Sequence, residues 1–281
     1  MLSYLFVVFK KRLLLWLIDE LTKTYMNSYQ SLERKIDNAK PVDFSEIIDN
    51  VIELFKKVWL KGFLVILLVS VCAIVASILF SLIGLAPNSN VFMDGFSLEA
   101  YMQFYSSSAL YSIPQNILIA TLTLAFVSAF YKICKQFVSG ETVVDDYFYF
   151  FKKQYFSKLL MLGIIHTAIS TVAQLMFLVP IIYVFVPLAY FSIIFANNPE
   201  LSEMEIVKAS FKLGNKKWFI SFGTMFVCGL MGALGILGCG IGILFTISIA
   251  YLPAFFIYKE VIGFDDTSEI DLIGRADDSD Y

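Results

Sequence analysis

Six stretches of this chain contain no Asp, Glu, Lys or Arg, and each is 18 to 24 residues long. A helix needs about 20 residues to cross the hydrocarbon core of a bilayer. The stretches are continuously apolar and lack the alternation of a membrane β-barrel. The pattern therefore predicts an all-α, polytopic helical membrane bundle with six transmembrane helices. These helices are expected at 62–85, 109–131, 159–178, 179–196, 218–237 and 241–258.

Amphipathic segments and basic-aromatic groups precede the odd-numbered spans. Residues 44–58 carry apolar side chains at helical spacing, after an Asp43–Glu46 pair that resembles a capping box. Ser202 and Glu205 form a clearer capping box. The pattern predicts three hairpins, each preceded by a cytoplasmic interfacial amphipathic helix, although aromatic and basic belts also occur in membrane proteins without internal duplication. The predicted interface anchors are Lys56, Lys57, Trp59, Lys152, Lys153, Tyr155, Lys216, Lys217 and Trp218.

Three local features refine these boundaries. Val179 and Pro180 are expected to form the turn between the third and fourth spans, which are almost fused. Gly214 is expected to cap the C-terminus of the helix that Ser202 begins. Met204, Val207 and Phe211 give that helix an apolar stripe.

Composition and charge fix the class and the orientation. The chain is 58% hydrophobic and 16% charged, with a mean hydropathy of +0.75, which is too apolar for a soluble globule. All 21 Lys and Arg residues lie before the first span, between spans two and three, between spans four and five, or after the last. Positive residues near spans stay in the cytoplasm. We therefore expect a multi-pass protein of the bacterial inner (cytoplasmic) membrane with cytoplasmic N- and C-termini.

The domain organisation is correspondingly simple. Residues 42–263 are expected to form a single six-helix membrane domain, followed by an acidic, disordered tail at 264–281. Residues 1–25 contain two apolar runs split by a basic triplet at 10–12. They are interpreted either as an interfacial helix or as a translated leader before a start at Met26.

One polar stripe within the spans is the candidate functional site. His166, Ser170 and Gln174 recur every four residues along the third span, with Thr167 and Thr171 beside them. Ionisable residues inside a membrane are functional candidates, but polar side chains also join neighbouring helices by hydrogen bonds. No span contains an Asp, Glu, Lys or Arg partner, which argues against proton-coupled transport.

The sequence offers no recognisable reaction centre. The four cysteines lack metal-ligand spacing, and no nucleophile–base pair or phosphate-binding loop is found. The glycines of 229–242 are interpreted as close helix packing and a tight turn. No catalytic residue, metal ligand or cofactor is predicted, and a membrane enzyme ranks third among the functions considered.

Residues 205–213, the Lys217–Trp218 pair, residues 239–242 and the Tyr258–Lys259 pair resemble a signature of bacterial six-span membrane proteins. That family includes the membrane domain associated with glycerophosphodiester phosphodiesterases and uncharacterised relatives. The resemblance implies an architecture rather than an activity. Some relatives are labelled beta-carotene monooxygenases, but that chemistry needs an iron held by several histidines, and this chain has one.

These observations favour a non-enzymatic membrane component that binds lipid or a partner. The expected partners are membrane lipids and either another membrane protein or a second copy of the chain; nucleic acid is not expected. The alternative is a small-solute transporter or channel that uses the polar face of the third span.

Overall fold

The computed structural model describes residues 28–85, 98–176, 178–238 and 240–264. Throughout these ranges the chain forms helices and turns without a β-strand, and six of its helices are long and apolar enough to cross a membrane. The predicted all-α, six-span bundle is confirmed. The predicted leader or interfacial helix at 1–25 and the acidic tail beyond residue 264 lie outside the described residues.

The helices follow one another with short connections. The spans are α2, α3, α4, α5, α7 and a composite last helix in which a 3₁₀ segment joins α8 to α9. The bounds are α1 28–37, α2 Phe44–Leu82, α3 Leu98–Ser139, α4 Lys153–Leu175, α5 Leu178–Asn197, α6 Glu203–Lys216, α7 Trp218–Ala233, α8 Gly242–Thr246 and α9 Leu252–Val261, with 3₁₀ segments at Tyr149–Phe151, Leu234–Leu237 and Ile247–Tyr251.

The amphipathic segment before the first span is not a separate surface helix. The side chain of Asp43 accepts a hydrogen bond from the Glu46 N–H at 2.9 Å, and the helix then runs without a break through the span. No proline interrupts it, so the two predicted elements merge. Its apolar stripe is covered by protein, because Ile47, Val51 and Val58 are fully buried.

The second unit begins with a 3₁₀ turn at Tyr149–Phe151 instead of an amphipathic helix. Consecutive aromatic residues cannot confine themselves to one helical face, and here they pack inward. Phe150 is 1% exposed, with its ring centroid 5.0 Å from that of Phe195. Tyr155, a predicted interface anchor, packs against the same two rings.

The third unit begins with a separate amphipathic helix, α6, as predicted. The capping box is present as predicted: the Ser202 N–H donates to Glu205 Oε2 at 2.8 Å, and the Ser202 side chain accepts from the Glu205 N–H. The buried face differs from the expected stripe. Ile206 and Leu213 are fully buried, whereas Met204 is 56% exposed.

Gly214 lies inside α6 and does not cap it, since the helix continues to Lys216. A Cβ atom at Gly214 would stand 2.9 Å from the Cα atom of Pro187 in α5. Glycine is needed here because the two helix backbones approach closely. The break before α5 also lies earlier than expected, because α4 ends at Leu175 and α5 already begins at Leu178; Pro180 therefore occupies the first turn of α5, where a missing N–H is tolerated.

Pro187 lies inside α5 and cannot donate the helical hydrogen bond to the Tyr183 carbonyl four residues earlier. The indole Nε1–H of Trp218 donates to this carbonyl at 3.1 Å. Trp218 was predicted as an interface anchor. In the structure it also donates a hydrogen bond to the backbone acceptor that Pro187 leaves without its helical donor.

The basic connections meet at one end of the bundle, which we call the basic end. Lys212 of α6 lies 2.8 Å from Glu33 and 2.7 Å from Asp37, so α1 is bound to α6. Lys61 of α2 pairs with Asp145, and Lys158 of α4 donates at 2.6 Å to the carbonyl of Leu201.

Four of the predicted lysine anchors contact protein, and Lys57 does so within its own helix, at 2.8 Å from Glu53. Lys217 is only 8% exposed and donates to the Lys40 carbonyl, while Lys216 donates to the Asp37 carbonyl. Burial, and then the charge of Lys216, lower the pKa of the Lys217 ammonium below its ordinary value. Lys152 lies 4.2 Å from the ring centroid of Tyr149. The side chains of Lys56, Lys57 and Lys153 are exposed, as is 43% of Trp59.

We expect Trp218→Phe to lower the melting temperature of the detergent-purified protein, because the Tyr183 carbonyl then lacks a donor, at a cost of about 1–3 kcal/mol. In a Pro187→Ala background the residue-187 N–H can reach that carbonyl, so the same Trp218→Phe change should cost clearly less. A double-mutant cycle of melting temperatures measures the difference. Equal costs in the two backgrounds would show that the indole hydrogen bond does not replace the missing helical one.

Candidate functional site: a cavity among five spans

A cavity of about 600 Å³ lies among α3, α4, α5, α7 and the composite last helix. It is bounded by both polar and apolar side chains. Four of the five residues in the predicted polar stripe line it, namely His166, Thr167, Ser170 and Gln174. Thr171, the fifth, is not among the lining residues.

Close packing of α4 on α3 brings this stripe to the cavity. Gly163 lies one turn before Thr167, and a Cβ atom there would collide with the Thr121 side chain of α3. The missing side chain allows the two helices to approach. α3 adds Asn116 and Thr123 to the lining, so hydrogen-bonding groups from two helices form one wall.

Two polar atoms of this wall have no hydrogen-bond partner in the described part of the chain. They are Nδ1 of His166 and Oγ1 of Thr167, and both are buried. The His166 ring meets the Phe191 ring edge to face at a centroid distance of 5.9 Å, which fixes its position without a hydrogen bond. An unpaired buried polar atom is costly, so a hydrogen-bond partner that reached either atom would stabilise it.

Most of the remaining lining is apolar. α5 contributes Ile181, Val184, Phe185 and Leu188 beside a single serine, and α7 adds Met225. The cavity therefore combines hydrogen-bonding groups, mainly on α3 and α4, with a largely apolar lining. Ligand pockets commonly combine a largely apolar lining with a few polar groups that set orientation.

Hydrogen bonds between helices close the cavity towards the basic end. The Tyr131 hydroxyl of α3 donates to the Tyr251 carbonyl at 2.9 Å, and both residues line the cavity. The Ser128 hydroxyl donates to the Ser192 carbonyl at 3.0 Å. These contacts join α3 to α5 and to the last helix on the side of the cavity that is nearer the basic end.

The lining contains no Asp, Glu, Lys or Arg. An ion in this cavity would have no charged partner, and burying an unpaired charge is strongly unfavourable. In the part of the chain that the structure describes, no group of three His, Cys, Asp or Glu residues could hold a metal ion. The arrangement can therefore orient an uncharged molecule through hydrogen bonds.

Sequence reasoning missed the contributions of α3 and α5. Asn116, Thr123 and Ser192 all line the cavity, but each is a single uncharged polar residue within a span. Such residues are common and share no spacing across different helices. Only the stripe on α4 carried a periodic signal.

No family model matches the sequence, and comparisons with curated proteins and with solved structures return no match either. The resemblance of residues 205–259 to six-span bacterial membrane proteins remains a prediction.

Substitutions at two alanines of α3 test the cavity. Ala120 lines the cavity, whereas Ala129 is 0% exposed and lies in the packed core. We expect Ala120→Leu to leave the melting temperature unchanged or raise it, because space is available. Ala129→Leu should overpack the core, at a cost of about 1–3 kcal/mol. Equal losses of melting temperature in the two variants would contradict the cavity.

Proposed function

We propose that this protein is a multi-pass protein of the cytoplasmic membrane that binds one uncharged, lipid-like molecule within its bundle and does not transform it. The observation that carries the proposal is the mixed lining of the cavity, which holds His166, Ser170 and Gln174 together with the apolar side chains of α5. A molecule with a hydrogen-bonding head and an apolar body matches this lining.

Size and surroundings support binding of this kind. A cavity of about 600 Å³ lies in the range of pockets that hold drug-sized ligands. A hydrogen bond inside hydrocarbon is stronger than one in water, because no water molecule competes for the donor and the acceptor. A head group bound against α4 would supply hydrogen-bond partners for His166 and Thr167.

The lining favours binding over catalysis. His166 is the lining side chain whose ordinary pKa lies near neutrality, and the lining offers no carboxylate or lysine as a second proton-transfer group. The imidazole is therefore interpreted as a hydrogen-bonding group that recognises the ligand.

The basic end is proposed to face the cytoplasm, with both termini on that side. Contacts between Lys212 and α1 and between Lys61 and Asp145 gather basic connections there. Keeping Lys and Arg on the cytoplasmic side is the general rule for membrane proteins.

Transport of a small uncharged solute is the second candidate, and the shape of the last span supports it. A 3₁₀ segment at Ile247–Tyr251 interrupts this span, and Ile247, Ala250 and Tyr251 line the cavity. Interrupted helices beside a central site are characteristic of transporters.

Loss of the hydrogen-bonding wall should release the bound molecule. Protein purified gently from native membranes is expected to carry one uncharged species near one-to-one, measured by extraction and mass spectrometry. His166→Leu combined with Gln174→Leu should reduce that species about tenfold or more, because two hydrogen bonds of about 1 kcal/mol each are lost.

Thr171→Leu is the matched control, because this residue lies on the same helix but not in the lining. It should retain the wild-type amount of the molecule. A wild-type protein that carries no enriched species, or a control that loses it equally, would contradict the proposal. Normal retention together with lost solute flux into vesicles in the double variant would favour transport.

Orientation can be tested with reporter fusions. A fluorescent protein fused after Gly140 should fluoresce, because this connection is expected in the cytoplasm. Alkaline phosphatase fused after Gly95 should be active, because that connection is expected outside. The opposite pair of results would reverse the proposed orientation.

A further inference from the structure

The walls of the cavity differ in how tightly they are joined. α3, α4 and α5 pack closely against one another, whereas the hairpin of α7 to α9 packs mainly on α2 and touches α5 only lightly. The cavity lies between these two groups of helices. The boundary between α5 and the hairpin has fewer contacts than either group has within itself, although two hydrogen bonds cross it, from Trp218 to Tyr183 and between Tyr190 and Ser221.

Apolar side chains form this boundary. Phe185 of α5, Met225 of α7 and Ile247 of the last span all line the cavity, and we call these three residues the seam. Phe185 is also 51% exposed. Next to Met225, Phe226 is 56% exposed. Single side chains therefore separate the cavity from the lipid around the protein.

Two other sides of the cavity are closed by direct contacts. The Tyr131–Tyr251 and Ser128–Ser192 hydrogen bonds join the helices on the side of the basic end. The α3–α4 wall is closed by the tight contact at Gly163. The apolar lining residues Leu124 and Val127 of α3 are buried, whereas Phe185 is half exposed.

We propose that the bound molecule is an uncharged single-chain amphiphile that enters from the bilayer through the seam. Its head lies against His166 and Gln174, and its chain passes Phe185 into the surrounding lipid. The inference rests on the proposed function and adds the route and the ligand class to it. The neutral lining excludes a charged head, and a volume of about 600 Å³ favours one chain over two.

The route can be mapped with two photoreactive monoacylglycerols in phosphatidylcholine vesicles containing the full-length protein. One probe carries a diazirine on its head group, and the other carries it in the middle of its chain. After irradiation, mass spectrometry of peptides should place saturable head crosslinks within 163–175. Chain crosslinks should fall around Phe185 and Met225. Reversed positions would overturn the proposed orientation of the ligand.

The rate of loading tests Phe185 as the entrance. Phe185→Ala should speed saturable head crosslinking several-fold after probe-containing vesicles are fused with protein vesicles. Phe219→Ala is the control, because Phe219 is 87% exposed and is not in the lining. It should load at the wild-type rate. A Phe185→Ala variant that also loads at the wild-type rate would overturn entry through the seam.

Competition tests the ligand class. Excess unlabelled monoacylglycerol should abolish head crosslinking, whereas the anionic single-chain lipid lysophosphatidylglycerol should not. Equal competition by both lipids would overturn the requirement for an uncharged head. Saturable labelling that His166→Leu with Gln174→Leu abolishes would support the cavity even if the route fails. Unsaturable labelling spread over all exposed helices would contradict both this inference and the proposed function.

Discussion

Every backbone acceptor inside a membrane needs a donor from the protein, and this requirement explains the centre of the structure. Pro187 leaves the Tyr183 carbonyl without its helical donor, and Trp218 donates from another helix. The indole can reach because Gly214 lets α6 lie against Pro187. Contacts at one proline thus connect α5, α6 and α7, and α5 supplies much of the apolar lining of the cavity.

Close approach between helices also shapes the side of the cavity that α3 and α4 form. Lipid offers helices no hydrophobic gain from association, so contact depends on packing and hydrogen bonds. Gly163 allows α4 to meet α3 at Thr121, which directs His166 and Thr167 towards the interior. The cavity remains between two well-packed groups of helices because α7 to α9 contact α5 only lightly.

The six spans could be predicted from the sequence because hydrocarbon thickness imposes a length on every uncharged run. The capping box at Ser202 could also be predicted, since it depends on residues three apart. The role of Gly214 could not, because a glycine near a helix end equally suits a cap or a close contact. The Trp218 hydrogen bond depends on a helix more than thirty residues away in sequence.

In the candidate site, too, local features could be predicted from the sequence and contacts between helices could not. The stripe on α4 was visible because periodicity within one helix is a local property. Its cavity was not, because Asn116 and Phe185 come from other helices and share no pattern with it. Even within the stripe, Thr171 turned out to be outside the lining, since the width of a helical face depends on what packs beside it.

The contact between α1 and α6 has a consequence for synthesis of the protein. Lys212 binds Glu33 across 179 positions of sequence, and Ser28 binds Glu200 across 172. At ribosomal rates of roughly 5–20 residues per second, α1 emerges about 10 to 35 s before its partner helix. Its buried side chains Leu32 and Ile36 must be shielded throughout that interval. α1 is therefore among the last of the described helices to reach its final place.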